Sequence, residues 1–275
     1  MKYGLLGHPL GHSMSPFIHQ KLFELSGIKA SYDLFDVPPE KLDEKKDFLL
    51  TLDGFNVTIP YKGRVIDFLD RLDISASRYN SVNVVKTGEV NVGYNTDVNG
   101  FVASVIHMGA TLSGNVLLLG CGGVSRMMAA ETILSGGKLT VGVRDANSQK
   151  TKEFLSFLKG IKQDAFVKAV DINETGGGYD LVINGTPVGM FPKTQFSPMA
   201  EQDVKSCKFV FDAIYNPEET LLYKYAEKNG VKCVTGMEML VRQAAEAHRI
   251  WYGANFDESE IKNIIRLANE ELKKR

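Results

Sequence analysis

A chain of 275 residues with 44% hydrophobic and 24% charged side chains holds enough apolar material for a large core and about two domains. A net charge of −1 with acids and bases interspersed argues against nucleic acid or a membrane surface as partner, and for a small-molecule substrate. Cys121, Cys207 and Cys233 lack the paired spacing of a zinc site or disulfide framework, and neither a signal segment nor a run of about 18 apolar residues is visible, so metal-free chemistry in the cytoplasm is expected.

Residues 1–7 read as a short strand running into Gly7-His8-Pro9-Leu10-Gly11-His12-Ser13-Met14-Ser15-Pro16, a loop dense in breakers and hydroxyls. Pro16 suits the first helical position after a Ser15 cap, with Phe17, Leu22, Phe23 and Leu25 on the buried side. Ser13 and Ser15 thus stand before a helix N-terminus, where hydroxyls and free N–H groups bind carboxylates; capping alone is the competing reading for Ser15. Gly27 ends this helix, Ser31 to Asp36 alternates as a second strand, and Pro38-Pro39 opens a charged, helical segment to about Leu52.

In Gly54-Phe-Asn-Val-Thr-Ile-Pro-Tyr-Lys62, Phe55, Val57 and Ile59 alternate with Asn56 and Thr58, the period of a strand with one apolar face. Pro60 stops the ladder, so Lys62 emerges in a turn beyond the strand's C-terminal end, the edge where open α/β sheets bind ligands. The plain alternative is a solvated lysine after an ordinary strand. Val65, Ile66, Phe68, Leu69 and Leu72 form a helical stripe, continuing a β-α-β-α-β-α order. Ser81 to Lys86 and Val90 to Asn95 read as a hairpin that delivers Asn83 and the motif Gly93-Tyr94-Asn95-Thr96-Asp97.

A helix from Gly100 to His107 leads into a second unit that opens with Asn115-Val-Leu-Leu-Leu-Gly120-Cys121-Gly122-Gly123-Val124. A buried strand feeds a glycine turn and then a helix, the arrangement in which one glycine permits the turn, another admits a pyrophosphate and the helix N-terminus faces the phosphates. Cys121, inside that turn, is either a reactive thiol or a small filler. Leu139 to Val143 supplies the next strand, ending at Arg144 and Asp145. The arginine suits a 2′-phosphate and the carboxylate a 2′-hydroxyl, unless Asp145 only caps a helix. Tyr179–Met190 and Lys208–Pro217 each read as a strand ending in a breaker-rich loop, which puts Asn184, Thr186 and Tyr215 along one edge. After Gly236 the chain turns helical, with Leu240, Ala244, Ala247 and Trp251 on the apolar face and Gln243 at its border, as core residue or ligand contact. Asp257 and Glu260 form a capping box for a last helix.

Six blocks, taken together, resemble the shikimate dehydrogenase family along nearly the whole chain: residues 7–16, Gly-Phe-Asn-Val-Thr-Ile-Pro-Tyr-Lys, Gly-Tyr-Asn-Thr-Asp, Gly-Cys-Gly-Gly, Asn-Gly-Thr-Pro-Val-Gly-Met and Gly-Met-Glu-Met-Leu-Val-Arg-Gln-Ala-Ala. The resemblance implies an α/β protein whose N-terminal substrate domain, with a mixed sheet, covers 1–100 and is completed by C-terminal helices in 237–275, with a Rossmann-type dinucleotide-binding domain at 101–236. It implies reversible NADP-dependent reduction of 3-dehydroshikimate to shikimate, a step of aromatic amino acid biosynthesis, with Lys62 and Asp97 as the catalytic pair. Ser13 and Ser15 would hold the substrate carboxylate, Thr58, Asn83 and Gln243 the ring hydroxyls, and Tyr215 would lie near substrate and nicotinamide. Gly120, Gly122, Gly123, Val124, Arg144, Asp145, Thr186, Met190 and Gly236 would bind the cofactor.

This sequence departs from the family pattern twice. Val143-Arg144-Asp145 stands where NADP-using members carry Asn-Arg-Thr, and Ser148 replaces a second arginine, which leaves NAD open. Asn80 stands where the family has glycine. The Ser-x-Ser pair favours shikimate over quinate. The alternatives are a quinate or dual quinate/shikimate dehydrogenase using NAD and, in another class, a non-catalytic dinucleotide sensor, which would have lost Lys62, Asp97 or the serines. A monomer or homodimer is expected.

Overall fold

The alternation at the N-terminus becomes β1 (Lys2–Gly7) in this computed structural model, which describes residues 1–11 and 13–275; His12 of the first motif lies outside the described residues. The chain divides into two compact units, Met1–Gly100 with Leu240–Arg275, and Phe101–Met239. The first continues through α1 (Ser15–Ser26), β2 (Ser31–Asp36), two 3-10 turns (Pro39–Lys41, Asp43–Lys45), α2 (Lys46–Leu50), β3 (Gly54–Val57) and a 3-10 helix (Arg64–Phe68). Then come β4 (Arg71–Leu72), α3 (Ile74–Ser77), β5 (Val84–Lys86), β6 (Val92–Tyr94) and α4 (Asp97–His107), whose later turns belong to the second unit.

Among the described residues these strands make a six-stranded sheet in the order β2-β1-β3-β5-β6-β4. The sheet is mixed: β1 lies parallel to β2 and β3, β5 antiparallel to β3 and β6, and β4 parallel to β6. One face is closed by Leu6, Phe55, Val57, Tyr61, Val65, Val82 and Val85, all essentially buried. The other is closed by Tyr3, Phe23 and Val84 against Ala247 and Trp251. Valines 84 and 85 thus serve opposite faces, as strand pleating requires. Trp251 fits only because residue 54 is glycine: a Cβ there would sit 2.4 Å from the indole nitrogen, which donates to the Val85 carbonyl at 3.0 Å.

Several expected elements differ. Met14, not Ser15, is the cap position of α1, no side chain caps it, and the Ser15 N–H meets Ser13 Oγ at 3.2 Å. The hydroxyl of Ser15 is therefore not spent on capping. The segment 38–52 breaks into two 3-10 turns and the short α2, which bring Leu42 and Leu49 into the core, instead of one helix. The expected helix through Leu72 ends at Phe68, because the Asp70 carboxylate accepts from Asn91 N (2.7 Å) and Nδ2 (3.0 Å) and draws the chain into β4. Asn80 has φ +49, a left-handed conformation that asparagine tolerates better than other non-glycine residues, which explains how it stands in a glycine position.

The second unit holds β7 (Asn115–Leu119), α5 (Gly123–Leu134), β8 (Lys138–Val143), α6 (Gln149–Ile161), β9 (Val167–Asp171), β10 (Leu181–Asn184), α7 (Glu201–Val204), β11 (Phe209–Asp212), α8 (Leu221–Lys228) and β12 (Lys232–Thr235). Its strands are all parallel, in the order β9-β8-β7-β10-β11-β12, the doubly wound arrangement of a dinucleotide-binding domain. From there α9 (Gly236–Tyr252) returns the chain to the first unit and α10 (Glu258–Leu272) ends it, opened by the expected Asp257/Glu260 capping box.

Candidate active site

Lys62 lies in the turn after β3, and three contacts fix that turn. Tyr61 is fully buried with its hydroxyl bonded to the Val37 carbonyl, Tyr61 N–H donates to the Thr58 carbonyl (2.9 Å), and Val82 N–H donates to the Lys62 carbonyl (2.7 Å). The lysine Nζ donates to Asp97 Oδ2 at 2.5 Å, with the two side chains 29% and 12% exposed. Asp97 opens α4, three residues before the expected start, and its own N–H donates to Asn95 Oδ1 (3.1 Å). An acid in the first turn also suits the helix dipole.

Asn83 ties the pair to its surroundings. Its Oδ1 accepts from Thr96 N (2.7 Å), while its Nδ2 lies 3.0 Å from Asp97 Oδ1, 3.1 Å from Thr96 Oγ1 and 2.8 Å from Gln243 Oε1. Two amide protons serve three acceptors, so Asn83, Asp97 and Gln243 orient one another. Because Gln243 spends its oxygen here, its Nε2 is the end it turns elsewhere. Thr96, in the sequence only a member of the Gly93–Asp97 motif, is a working part of this network; its place beside Asp97 was the available signal.

A second polar line runs toward the serines. Asn56 Nδ2 donates to the Asn83 carbonyl (3.2 Å), and Asn56 Oδ1 accepts from the Tyr32 hydroxyl (2.7 Å). Burial pushes the Tyr32 hydroxyl pKa well up, with a hydrogen bond from Ser15 opposing it. Behind Tyr32, His19 stacks on its ring at 4.1 Å and meets His248 Nε2 at 2.8 Å. The 8–14 loop is held at its base by Asp36, which takes His8 Nδ1 (2.6 Å) and Leu10 N (3.1 Å). Thr58 packs beside Gly7, where a Cβ would come within 2.5 Å of its methyl. Lys62, Asp97, Asn83 and Gln243 thus join through direct bonds, Ser13 and Ser15 through Tyr32 and Asn56, and Thr58 through packing.

In the second unit, Gly120 has φ +98 and passes Thr186 so closely that a Cβ would sit 2.9 Å from its methyl. Gly122 and Gly123 face open space, and no side chain caps α5, so its first N–H groups are presented to whatever binds above them. Val124 follows, exposed at 37%. Thr186 donates from N (3.0 Å) and Oγ1 (2.7 Å) to Asn184 Oδ1. Met190 is exposed, Tyr215 half-buried and Gly236 buried against the Ala213 carbonyl. Arg144 and Asp145 are both exposed after β8. Asp145 does not cap α6: that cap is Ser148, and Asp145 Oδ1 instead accepts from Asn147 N at 2.9 Å. These residues fit a phosphate-bearing dinucleotide, with a glycine cradle for the pyrophosphate and one exposed guanidinium beyond the second strand.

A profile of the shikimate dehydrogenase substrate binding domain matches residues 5–85. An NADP(+) shikimate dehydrogenase of Caldanaerobacter subterraneus subsp. tengcongensis is 38% identical over 269 residues, 96% of either chain. The Thermus thermophilus shikimate 5-dehydrogenase solved with NADP(H) and shikimate superposes with a TM-score of 0.86 at 30% identity, covering 98% of this chain and 99% of that one. A quinate dehydrogenase of Corynebacterium glutamicum solved with NAD reaches a TM-score of 0.85 at 27% identity, over 97% and 99%.

Proposed function

Because this chain belongs to the shikimate dehydrogenase family, we infer that it reduces 3-dehydroshikimate to shikimate reversibly with NADP(H), in aromatic amino acid biosynthesis. The observation that carries the reading is the 2.5 Å Lys62–Asp97 pair, locked to Asn83 and Gln243 in the unit that contains the matched substrate-binding region.

When bound, the dinucleotide supplies the hydride for the carbonyl carbon. Lys62 Nζ gives the proton to the carbonyl oxygen in reduction and takes it back in oxidation, so the ketone gains one hydride and one proton. Asp97 aims the amine, its second oxygen pinned by Asn83, and the partly exposed Lys62 regains its proton from water. Ser13 and Ser15 donate to the substrate carboxylate, while Thr58, Asn83 and Gln243, the last through Nε2, meet ring hydroxyls. Tyr215 is the second unit's candidate contact for the nicotinamide. The first unit binds substrate and the second, 101–236 by sequence, binds NADP through Gly120, Gly122, Gly123, Val124, Thr186, Met190 and Gly236.

Arg144 pairs with the 2′-phosphate. Asp145 lies beside it, with Oδ1 accepting from the Asn147 N–H. No helix among the described residues is long and apolar enough to cross a membrane, and we place the enzyme in the cytoplasm as a monomer or homodimer. Oxidation assays crossing shikimate and quinate with NADP and NAD test the reading. Turnover is expected with shikimate and NADP, and Arg144→Ala should lower kcat/KM for NADP about tenfold or more with little change for NAD. Faster turnover of quinate with NAD would replace it by the quinate alternative.

A further inference from the structure

Four neighbouring strands of the second sheet end level, Leu119 paired with Asn184, Asn184 with Asp212, and Asp212 with Thr235. Of these four, only Asp212 is ionisable, and it is completely buried. Its Oδ1 accepts from Asn184 Nδ2 (2.9 Å) and Ile214 N (3.1 Å), and its Oδ2 from the Thr220 hydroxyl (2.6 Å). None of these donors is cationic. Burial pushes the carboxyl pKa up, opposed by the three bonds. Thr220 Oγ1 is itself taken by Tyr223 N (3.1 Å) as the cap of α8, so its proton points to Asp212 and the carboxylate acts as acceptor on every side.

A buried anion without a counter-charge is costly, and here three donors offset that cost. What the carboxylate alone does is choose orientations. With Asn184 Nδ2 committed to Asp212, the Asn184 oxygen must face Thr186, where it takes both the N–H and the hydroxyl, and Thr186 Oγ1 in turn takes Val188 N at 3.2 Å. Holding the Ile214 N–H fixes the start of the Tyr215 turn, and the Ile214 carbonyl accepts from Gly236 N at 2.9 Å. One side chain therefore sets three segments, those of Thr186 and Met190, of Tyr215, and of Gly236.

We propose that Asp212 is the positioning residue of the dinucleotide site, holding the loops after β10, β11 and β12 in the conformation that accepts NADP without touching it. The proposal rests on the reading above that these loops and the glycine turn bind the cofactor. It is tested by fluorescence titration with NADPH in the absence of substrate, alongside melting temperatures and shikimate KM at saturating NADP. Asp212→Leu should weaken NADPH roughly tenfold, the cost of leaving buried donors unpaired, with shikimate KM within about twofold of the unmodified enzyme. Asp212→Asn, whose Oδ1 still accepts from Asn184 Nδ2 and Ile214 N, should recover more than half of that loss.

A lower melting temperature with unchanged NADPH affinity in Asp212→Leu would overturn the proposal, and so would an equal loss of affinity in Asp212→Asn. If Asp212→Leu does not fold, Asp212→Ala is judged by the same two outcomes. Gly122→Val separates the two readings. Full NADPH binding there would sink the cofactor site itself, whereas its loss beside an unaffected Asp212→Leu would sink only the role of Asp212.

Discussion

The two units build their sites from different material. In the first, side chains from residues 62, 83, 97 and 243 meet one another directly, and the backbone only delivers them. In the second, the cradle is backbone: a left-handed glycine, two glycines facing open space and the uncapped start of α5. A site of converging side chains fails when atoms are removed, and a site of bare backbone fails when atoms are added.

The sharpest break of this contrast is subtraction in the first unit. Lys62→Ala should lower kcat by roughly 10²- to 10⁴-fold, the usual worth of a positioned acid–base group, with a smaller change in shikimate KM. Steady-state kinetics near the wild-type value would remove Lys62 from the chemistry. The converse is addition in the second unit. Gly120→Ala puts a methyl on a residue at φ +98, within 2.9 Å of the Thr186 methyl, and should cost about 1–3 kcal/mol of local conformation, read as a several-fold rise in NADP KM while shikimate KM holds. Unchanged NADP KM would mean that this turn yields without consequence.

The smallest effect sharpens the comparison by taking a polar pair that does no chemistry. Burial pushes His248 down from 6.5 to about 3, and His19 well below its ordinary value. The unfolded chain therefore takes up protons first. This contribution to stability is complete above about pH 6.5 and is lost progressively as pH falls toward 3, at no more than about 1.4 kcal/mol per pH unit for each histidine. His248→Gln should flatten the decline of melting temperature across that window and leave kcat at neutral pH unchanged; an equally steep decline would assign the acid sensitivity elsewhere.

Much of this was legible in the chain itself. The strand before Lys62, the glycine turn after Leu119 and the box at Asp257 each follow from local spacing, because a strand end, a tight turn and a helix start are local events. Elements decided by partners far along the chain were not. β4 exists because Asp70 finds Asn91, and the 38–52 segment bends because Leu42 and Leu49 share one core. The same holds within the sites. Asp212 beside Asn184 depends on strand register, and the Tyr32–Asn56–Asn83 line crosses three strands' worth of sequence before its members touch. Asp145 shows the reverse, a residue whose identity suggested a cap although the cap is Ser148 and its own Oδ1 accepts from Asn147 N.

Trp251 and Gln243 ride on the same late helix, and both belong to a unit whose larger part, Met1–Gly100, was made before residue 101. On the ribosome, where segments fold in the order they appear, the sheet around Tyr3 and Val84 waits with one side only partly covered, by Phe23, through the synthesis of 139 intervening residues. Only when α9 arrives does the indole fill the space beside Gly54 and the glutamine reach Asn83. The nucleotide-binding half is thus completed first, and the half that recognises substrate becomes competent last.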